Sequence, residues 1–333
     1  MGIPAFEDKI VQRAVTMRWG ALYEQDFHAC SHGFREGHRP HQARREWREQ
    51  GLEGNIGGIV DAEVRGCCDR LDHDRRRDMI RPRGKDGRIV ALLSQWLNAG
   101  VLDGETLTSP AHGPPPGGVR SPMLANSFLH HVLDEWVVRE VKPRMKGRCL
   151  LTRVADDLII GCEGEDDARR IMAVLPQRCA RFGLTIHPTK TALLAFRKPA
   201  SHTEADMGNG PFECLGCTHY GTKSRRGDWV ITRRTASKRL RRTRKALWQW
   251  GRDQRHTPLK AQYRIFCQKL RGPYQYYGIR GNYPRLEQLS EHAVHAWRYW
   301  LSRRSRQSAM PWAKFAWLRG RYPLPPPTLV HAI

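Results

Sequence analysis

Acidic residues almost vanish after position 220. Four Asp or Glu remain there against 26 Lys or Arg, whereas the first 220 residues hold 29 acidic and 31 basic side chains. A solvated helix surface ordinarily mixes both signs, so a stretch without counter-charge points to an acidic partner outside the chain. Long apolar runs are also missing: nothing approaches the roughly 18 residues of a spanning helix. The opening MGIPAFEDKIVQ carries acidic residues where a signal peptide would be basic and then apolar. A soluble, cytoplasmic protein without membrane association is therefore expected. The nine cysteines are odd in number and scattered, which excludes a disulfide framework. Cys214-Leu-Gly-Cys217 has no second pair at zinc spacing, no His-Glu-x-x-His occurs among the 15 histidines, and no internal repeat is evident.

What is present is a chain of 333 residues with a net charge of +24 and 40% hydrophobic residues, long enough for two or three domains with real cores. Nucleic acid leads the candidate partners of so basic a protein. Within 233–245 eight of thirteen residues are Lys or Arg, and the stretch continues into Leu247, Trp248 and Trp250. This spacing predicts a basic helix with an aromatic end, and Lys238, Arg239, Arg241, Arg242, Arg244 and Lys245 are candidate phosphate contacts. Further on, Arg alternates with aromatic residues in 271–286, 295–306 and 312–327, a pattern suited to stacking on unpaired bases. Trp297, Trp300 and Leu301 recur at i, i+3, i+4, which favours helix core over a stacking platform. The prolines at 323–327 predict an extended end.

The segment 148–196 reads as strand, tight turn, strand, helix, strand. Apolar runs at 150–154 and 158–160 flank Ala155, Asp156 and Asp157, setting two carboxylates at what reads as a buried hairpin tip. Between apolar strands two like charges need a cation or a proton. An Asp-Asp turn on a surface needs neither. A third carboxylate favours the cation, because two-metal nucleotidyl transfer requires acidic ligands converging from separate strands. In the predicted strand 56–64, Asp61 and Glu63 share one face, and either would complete a Mg2+ cage of the kind found in palm-type polymerases.

The order of GIPAFEDKIVQRAV (2–15), SHGFREGHRPHQA (31–43), IVDAEVRGCCDRLDH (59–73), GPPPGGVRSPMLANSFLHHVLDEW (113–136), RVADDLII (153–160), FGLTIHPTKTALLAF (182–196), FECLGCTHYG (212–221) and LRGPYQYYGIRGN (270–282) resembles the bacterial group II intron-encoded reverse transcriptases and maturases. The resemblance covers nearly the whole chain. It implies an α+β fold, with a right-hand palm of antiparallel sheet and helices followed by a basic α-helical thumb. The organisation it implies is a partial, N-terminally truncated fingers segment at 1–55, a palm at 56–220 and a thumb or maturase domain at 221–333. Helices are expected at 9–23, 38–50, 71–100, 121–140, 165–182 and across 236–322.

It implies RNA-directed DNA synthesis with dNTP substrates and two Mg2+ ions, Mn2+ being an alternative. The implied partners are group II intron RNA and an RNA template carrying a DNA primer. Asp156, Asp157 and Glu63 are then the catalytic metal ligands, and Cys68, Pro116, Gly117 and Lys190 line the nucleotide site, with Lys190 near the phosphates. Four positions depart from the family. Glu63 replaces an aspartate, and a displacement of about 1 Å in a catalytic group can cost about 100-fold in rate. Cys68 replaces the aromatic under the nucleotide sugar, Val154 replaces a tyrosine, and Pro116 replaces a glutamine. Two other readings therefore stand beside the polymerase: an RNA-binding splicing maturase whose palm is weak or dead, and an inactive truncated remnant of an intron gene.

Overall fold

Alternation in GIVDAEVR decides the centre of the N-terminal part of the molecule. In strand β1 (Gly58–Arg65) the side chains of Val60, Ala62 and Val64 are buried while Asp61 and Glu63, on the opposite face, are only partly covered. The structure is a computed structural model that describes residues 5–53, 55–65, 87–98, 101–103, 106–108, 121–196, 211–224, 226–305 and 309–331. The chain divides into two compact units, Met1–Gly210 and Pro211–Ile333.

The first unit begins with helices α1 (Phe6–Glu24) and α2 (Pro40–Glu53), before β1. Helix α3 (Gly87–Asn98) and the short hairpin of β2 (Val101–Asp103) and β3 (Thr106–Thr108) follow, and the expected helix residues 71–86 lie outside the described residues. Next come α4 (Ser121–Leu129), the hairpin of β4 (Cys149–Val154) and β5 (Asp157–Cys162), α5 (Glu165–Arg181), β6 (Thr185–Ile186) and β7 (Ala192–Ala195). The sheet is antiparallel. β5 lies between β4 and β1, while β6 and β7 pair with the other edge of β1. Its apolar face packs through Val60, Ala62, Leu158 and Ile160 onto Phe128, Val132 and Trp136 on one side and onto Ala168, Ile171 and Leu175 of α5 on the other. Helix α5 carries Glu165, Asp166 and Asp167 in its first turn and Arg178 and Arg181 in its last, the polarity that its dipole favours.

A continuous α-helix was expected over 121–140. Helix α4 instead ends at Leu129 and continues as two wide π-turns, His130–Asp134 and Val137–Val141. The N–H of Glu135 donates to the carbonyl of His130, an i to i+5 bond that lets five residues close one turn. Periodicity at 3.6 residues cannot show such a turn.

On the other face of the sheet, Trp47 of α2 covers the end near Gly161, where any Cβ would lie 2.6 Å from the indole ring. The opposite end of that face, with Glu63 and Asp157, stays open.

The second unit opens with a three-stranded antiparallel sheet, β8 (Phe212–Cys214), β9 (Cys217–Lys223) and β10 (Trp229–Thr235). Cys214 and Cys217 close its first hairpin, with Leu215 and Gly216 both in the left-handed region (φ 50° and 76°), so the Cys-x-x-Cys spacing serves a two-residue turn. Four helices follow: α6 (Ser237–Asp253), α7 (Leu259–Tyr277), α8 (Tyr283–Leu301) and α9 (Trp312–Arg321). Their core holds Leu240, Leu247, Phe266, Leu270, Trp297 and Phe315, and Trp297 and Leu301 are buried as the spacing implied. Buried Asn282 ties the start of α8 to β10: its Oδ1 accepts from the Thr235 N–H at 2.8 Å and its Nδ2 donates to Thr235 Oγ1 at 2.8 Å. No helix among the described residues is long and apolar enough to cross a membrane.

Candidate active site

The turn between β4 and β5 has two residues, Ala155 and Asp156, closed by the pair Val154 and Asp157. Ala155 has φ +59°, a left-handed conformation that costs a non-glycine residue about 1 kcal/mol. Asp157 sits directly opposite Glu63 in the β1–β5 register, and the N–H of Val64 donates to the carbonyl of Asp156 at 2.9 Å. The three carboxylates that the sequence suggested are thus brought to one end of the sheet, with Asp61 one pleat further along the same face. The tip is not buried as expected: Asp156 is exposed and Asp157 half-buried, because α2 covers only the far end of this face.

Lys190 reaches the same place from the turn between β6 and β7. Its Nζ donates to Glu63 Oε1 at 2.5 Å, and the N–H of His187, three residues earlier, donates to the Glu63 carbonyl at 2.8 Å. Glu63 therefore carries a counter-cation within the protein. Asp156 lacks so close a partner in this cluster. Lost solvation pushes its carboxyl above the ordinary value, its own backbone hydrogen bond lowers it, the charge of Glu63 raises it and Lys190 lowers it.

The donors are all carboxylate oxygens and the Glu63 charge bears on Asp156, a donor chemistry that suits a hard divalent cation such as Mg2+. Cys68, Pro116 and Gly117 lie outside the described residues.

Sequence reasoning gave no role to Arg153, yet it underlies the whole hairpin. Its side chain is completely buried and donates to Asp134 Oδ1 at 2.7 Å and Oδ2 at 2.6 Å, to Asn126 Oδ1 at 2.7 Å, to Ser31 Oγ at 2.6 Å and to the Ala155 carbonyl at 3.0 Å. Burial pushes the Asp134 carboxyl up, but the Arg153 charge and hydrogen bonds outweigh it and hold the group below its ordinary value. The bond to Ala155 fastens the strained turn residue beside Asp156. From outside, Cys30–His32 runs along β4, with the His32 N–H donating to the Arg153 carbonyl at 2.8 Å. Gly33 then passes so close that a Cβ there would lie 2.3 Å from the Ala155 nitrogen. The one sequence signal was a charged residue in the middle of an apolar strand.

Arg153→Met should cost about 3–5 kcal/mol, because it strands Asp134 as a buried, uncompensated charge. Denaturant unfolding measures this, and adding Asp134→Leu should restore most of the loss.

His32 supplies a pH dependence. Its ring is fully buried, with His38 Nδ1 3.5 Å from its Nδ1 and Glu46 Oε2 3.2 Å from its Nε2. Burial first, then the charges of His38, Arg35 and Arg153, push its pKa down from 6.5 to about 4. Between those values the unfolded chain takes up a proton that the folded chain refuses, so stability falls as pH drops through this window and levels off below it. The contribution is about 2–3 kcal/mol. Unfolding at pH 7 and pH 4.5 should show His32→Gln losing less stability on acidification than the unmodified protein.

In the second unit all six predicted basic residues, Lys238, Arg239, Arg241, Arg242, Arg244 and Lys245, lie on α6 and are exposed. None takes part in an ion pair among the described residues. The opposite side of α6 buries Leu240 and Leu247, which fixes the direction of the charged side. At its end Trp248 packs against Tyr299 at 4.7 Å and Trp300 at 5.3 Å, and the Arg303 guanidinium lies 4.1 Å over Tyr299.

An antiparallel sheet backed by helices, with carboxylates on a β-hairpin beside a central strand and a basic helical unit after it, defines a polymerase palm and its helical companion. The chain belongs to the reverse transcriptase (RNA-dependent DNA polymerase) family, whose pattern matches residues 1–219. It is 34% identical over 139 residues to the group II intron-encoded protein LtrA of Lactococcus lactis subsp. cremoris, a match covering 42% of this chain and 23% of that protein. It is also 35% identical over 133 residues to protein YkfC of Escherichia coli K12, covering 39% of this chain and 35% of the relative. The chain thus spans only about a quarter to a third of those relatives' length. Among solved structures, apo telomerase from Candida tropicalis shares the fold with a TM-score of 0.51 at 11% identity, covering 93% of this chain and 56% of that one.

Proposed function

We infer that the protein copies RNA into DNA at the Glu63–Asp156–Asp157 cluster and holds RNA through α6, as a group II intron-type reverse transcriptase and maturase. The observation that carries this reading is the register that sets Asp157 opposite Glu63 at the open end of the palm sheet, with Asp156 beside them on the turn. Glu63, Asp156 and Asp157 would hold Mg2+, which supplies Lewis acidity to the nucleotide phosphates and the primer hydroxyl. The chain's own residues do the rest. Arg153 and Gly33 fix the turn, so that Asp156 is oriented before substrate arrives, which limits the reorganisation needed during the reaction. Lys190, which neutralises Glu63 in the free protein, is in place to turn its ammonium toward a triphosphate once another cation takes its role. The proposed domains are a fingers segment to residue 55, palm at 56–220 and basic thumb at 221–333, with Cys68, Pro116 and Gly117 in the nucleotide pocket. The proposed partners are intron RNA and a primed RNA template, and the proposed setting is a cytoplasmic ribonucleoprotein.

The splicing-maturase alternative draws on a separate observation, the uncompensated charge of α6, which needs no active palm. The test is extension of a DNA primer annealed to RNA by the full chain in Mg2+. Extension supports the polymerase. RNA binding with splicing assistance but no extension supports the alternative.

A further inference from the structure

We propose that His28, His130 and Glu135 form a binding site for one Zn2+-class ion, separate from the carboxylate cluster of the palm hairpin. His28 follows the end of α1, where the N–H of Phe27 donates to the Tyr23 carbonyl at 2.9 Å, and its ring lies 5.3 Å from that of His130. His130 and Glu135 stand five residues apart, which on a regular α-helix turns them about 140° from each other. The π-turn between them removes that divergence and sets both side chains toward His28.

Glu135 Oε1 lies 2.9 Å from His28 Nε2 and 3.6 Å from His130 Nε2, and the three atoms all fall within 4.8 Å of one another. Zinc with ligand bonds of 2.0–2.2 Å separates its tetrahedral donors by about 3.3 Å. The two spacings to Glu135 Oε1 bracket that value. The remaining Glu135 oxygen, Oε2, accepts from Arg139 Nε at 2.7 Å, which leaves Oε1 to serve as a monodentate ligand.

Behind the site, His130 Nδ1 is buried and faces Asp134 Oδ2 at 3.6 Å. An ion on Nε2 would fix the tautomer with its proton on Nδ1, facing that carboxylate, the arrangement that commonly orients zinc-bound histidines. His28 and Glu135 keep 28% and 20% of their side-chain surface open, which gives an ion its entry and a water the fourth position. Two imidazoles and one carboxylate select a borderline ion over Mg2+, which prefers all-oxygen ligands. An ion here would join the end of α1 to the helix carrying Asp134, the partner of Arg153.

The experiment uses the full chain, freed of metal and then titrated with Zn2+, and with Co2+ as a coloured probe, in excess Mg2+ that occupies oxygen sites. The unmodified protein should bind one Zn2+, melt at higher temperature with it, and give the visible absorption of four- or five-coordinate cobalt. His28→Ala and Glu135→Gln, at partly open positions, should melt like the unmodified protein without metal, yet bind Zn2+ about 100-fold more weakly and lose the cobalt bands. X-ray absorption of the zinc-loaded unmodified protein provides a reading independent of any variant: a shell of nitrogen and oxygen with two imidazoles is expected. A purely oxygen or sulfur-containing shell, or variants that bind zinc as tightly as the unmodified chain, would overturn the site.

Discussion

Replacing Asp156 and Asp157 together with asparagine is expected to lower Mg2+-dependent primer extension by at least about 1,000-fold while RNA affinity stays unchanged. Positioned divalent ions stabilise the charge that develops in phosphoryl transfer by several kcal/mol, and each 1.36 kcal/mol is tenfold in rate. Asparagine keeps the shape of both side chains and the pairing of Asp157 with Val154 and Glu63. The loss would therefore report charge and not folding. A second readout separates the two: lost solvation first, and then the charge of Glu63, hold Asp156 above its ordinary value, so removing its charge relieves both. The metal-free variant should melt no lower than the unmodified protein. A large fall in melting temperature, or extension within tenfold of normal, would contradict this assignment.

The second large effect belongs to α6. Lys238, Arg241, Arg242 and Lys245 recur at i, i+3, i+4, i+7, so they share one side of the helix, and all are exposed. Changing the four to glutamine should remove about four phosphate contacts. The slope of log affinity against log salt then falls by about 3, and at 0.1 M salt RNA binding weakens on the order of several hundredfold. The fold should survive, since the helix is anchored by Leu240 and Leu247 and none of the four is in an ion pair among the described residues. Equal weakening at every salt concentration would point instead to a structural effect, and unchanged affinity would move the RNA surface elsewhere.

Much of this was legible in the residues. Period-2 alternation in GIVDAEVR placed Asp61 and Glu63 on one face, and the apolar runs around Ala155, Asp156 and Asp157 marked the hairpin. Local patterns carry that kind of information because side-chain direction repeats within a strand. Six of the eight basic residues in that run likewise fell on one amphipathic helix, but Arg233 and Arg234 belong to β10, where Arg233 is buried. What escaped depends on pairing between distant segments. Nothing local says that Asp157 faces Glu63 across 94 residues, or that Lys190 closes on Glu63 before any substrate is present. Arg153 read as one more basic residue until Asp134, Asn126 and Ser31 surrounded it. On an ideal helix the adjacent His130 and His131 would splay apart by about 100°. The π-turn changed that for His130, while His131 turned to the Tyr23 hydroxyl, 3.3 Å from its Nε2. The exposure of Asp156 was missed because strand hydrophobicity does not reveal which end of a sheet the neighbouring helix covers.

The most direct test of the central claim is the rate of single-nucleotide addition to a primed RNA template, measured against Mg2+ concentration for the unmodified chain and for Glu63→Gln. The unmodified chain should add nucleotide with a saturable dependence on Mg2+. Glu63→Gln should need more Mg2+ and reach a lower rate, because one carboxylate of the cluster is gone. If the unmodified chain binds the primed RNA tightly yet adds nothing at any Mg2+ concentration, or if Glu63→Gln matches it throughout, the carboxylate cluster is not the active site described above.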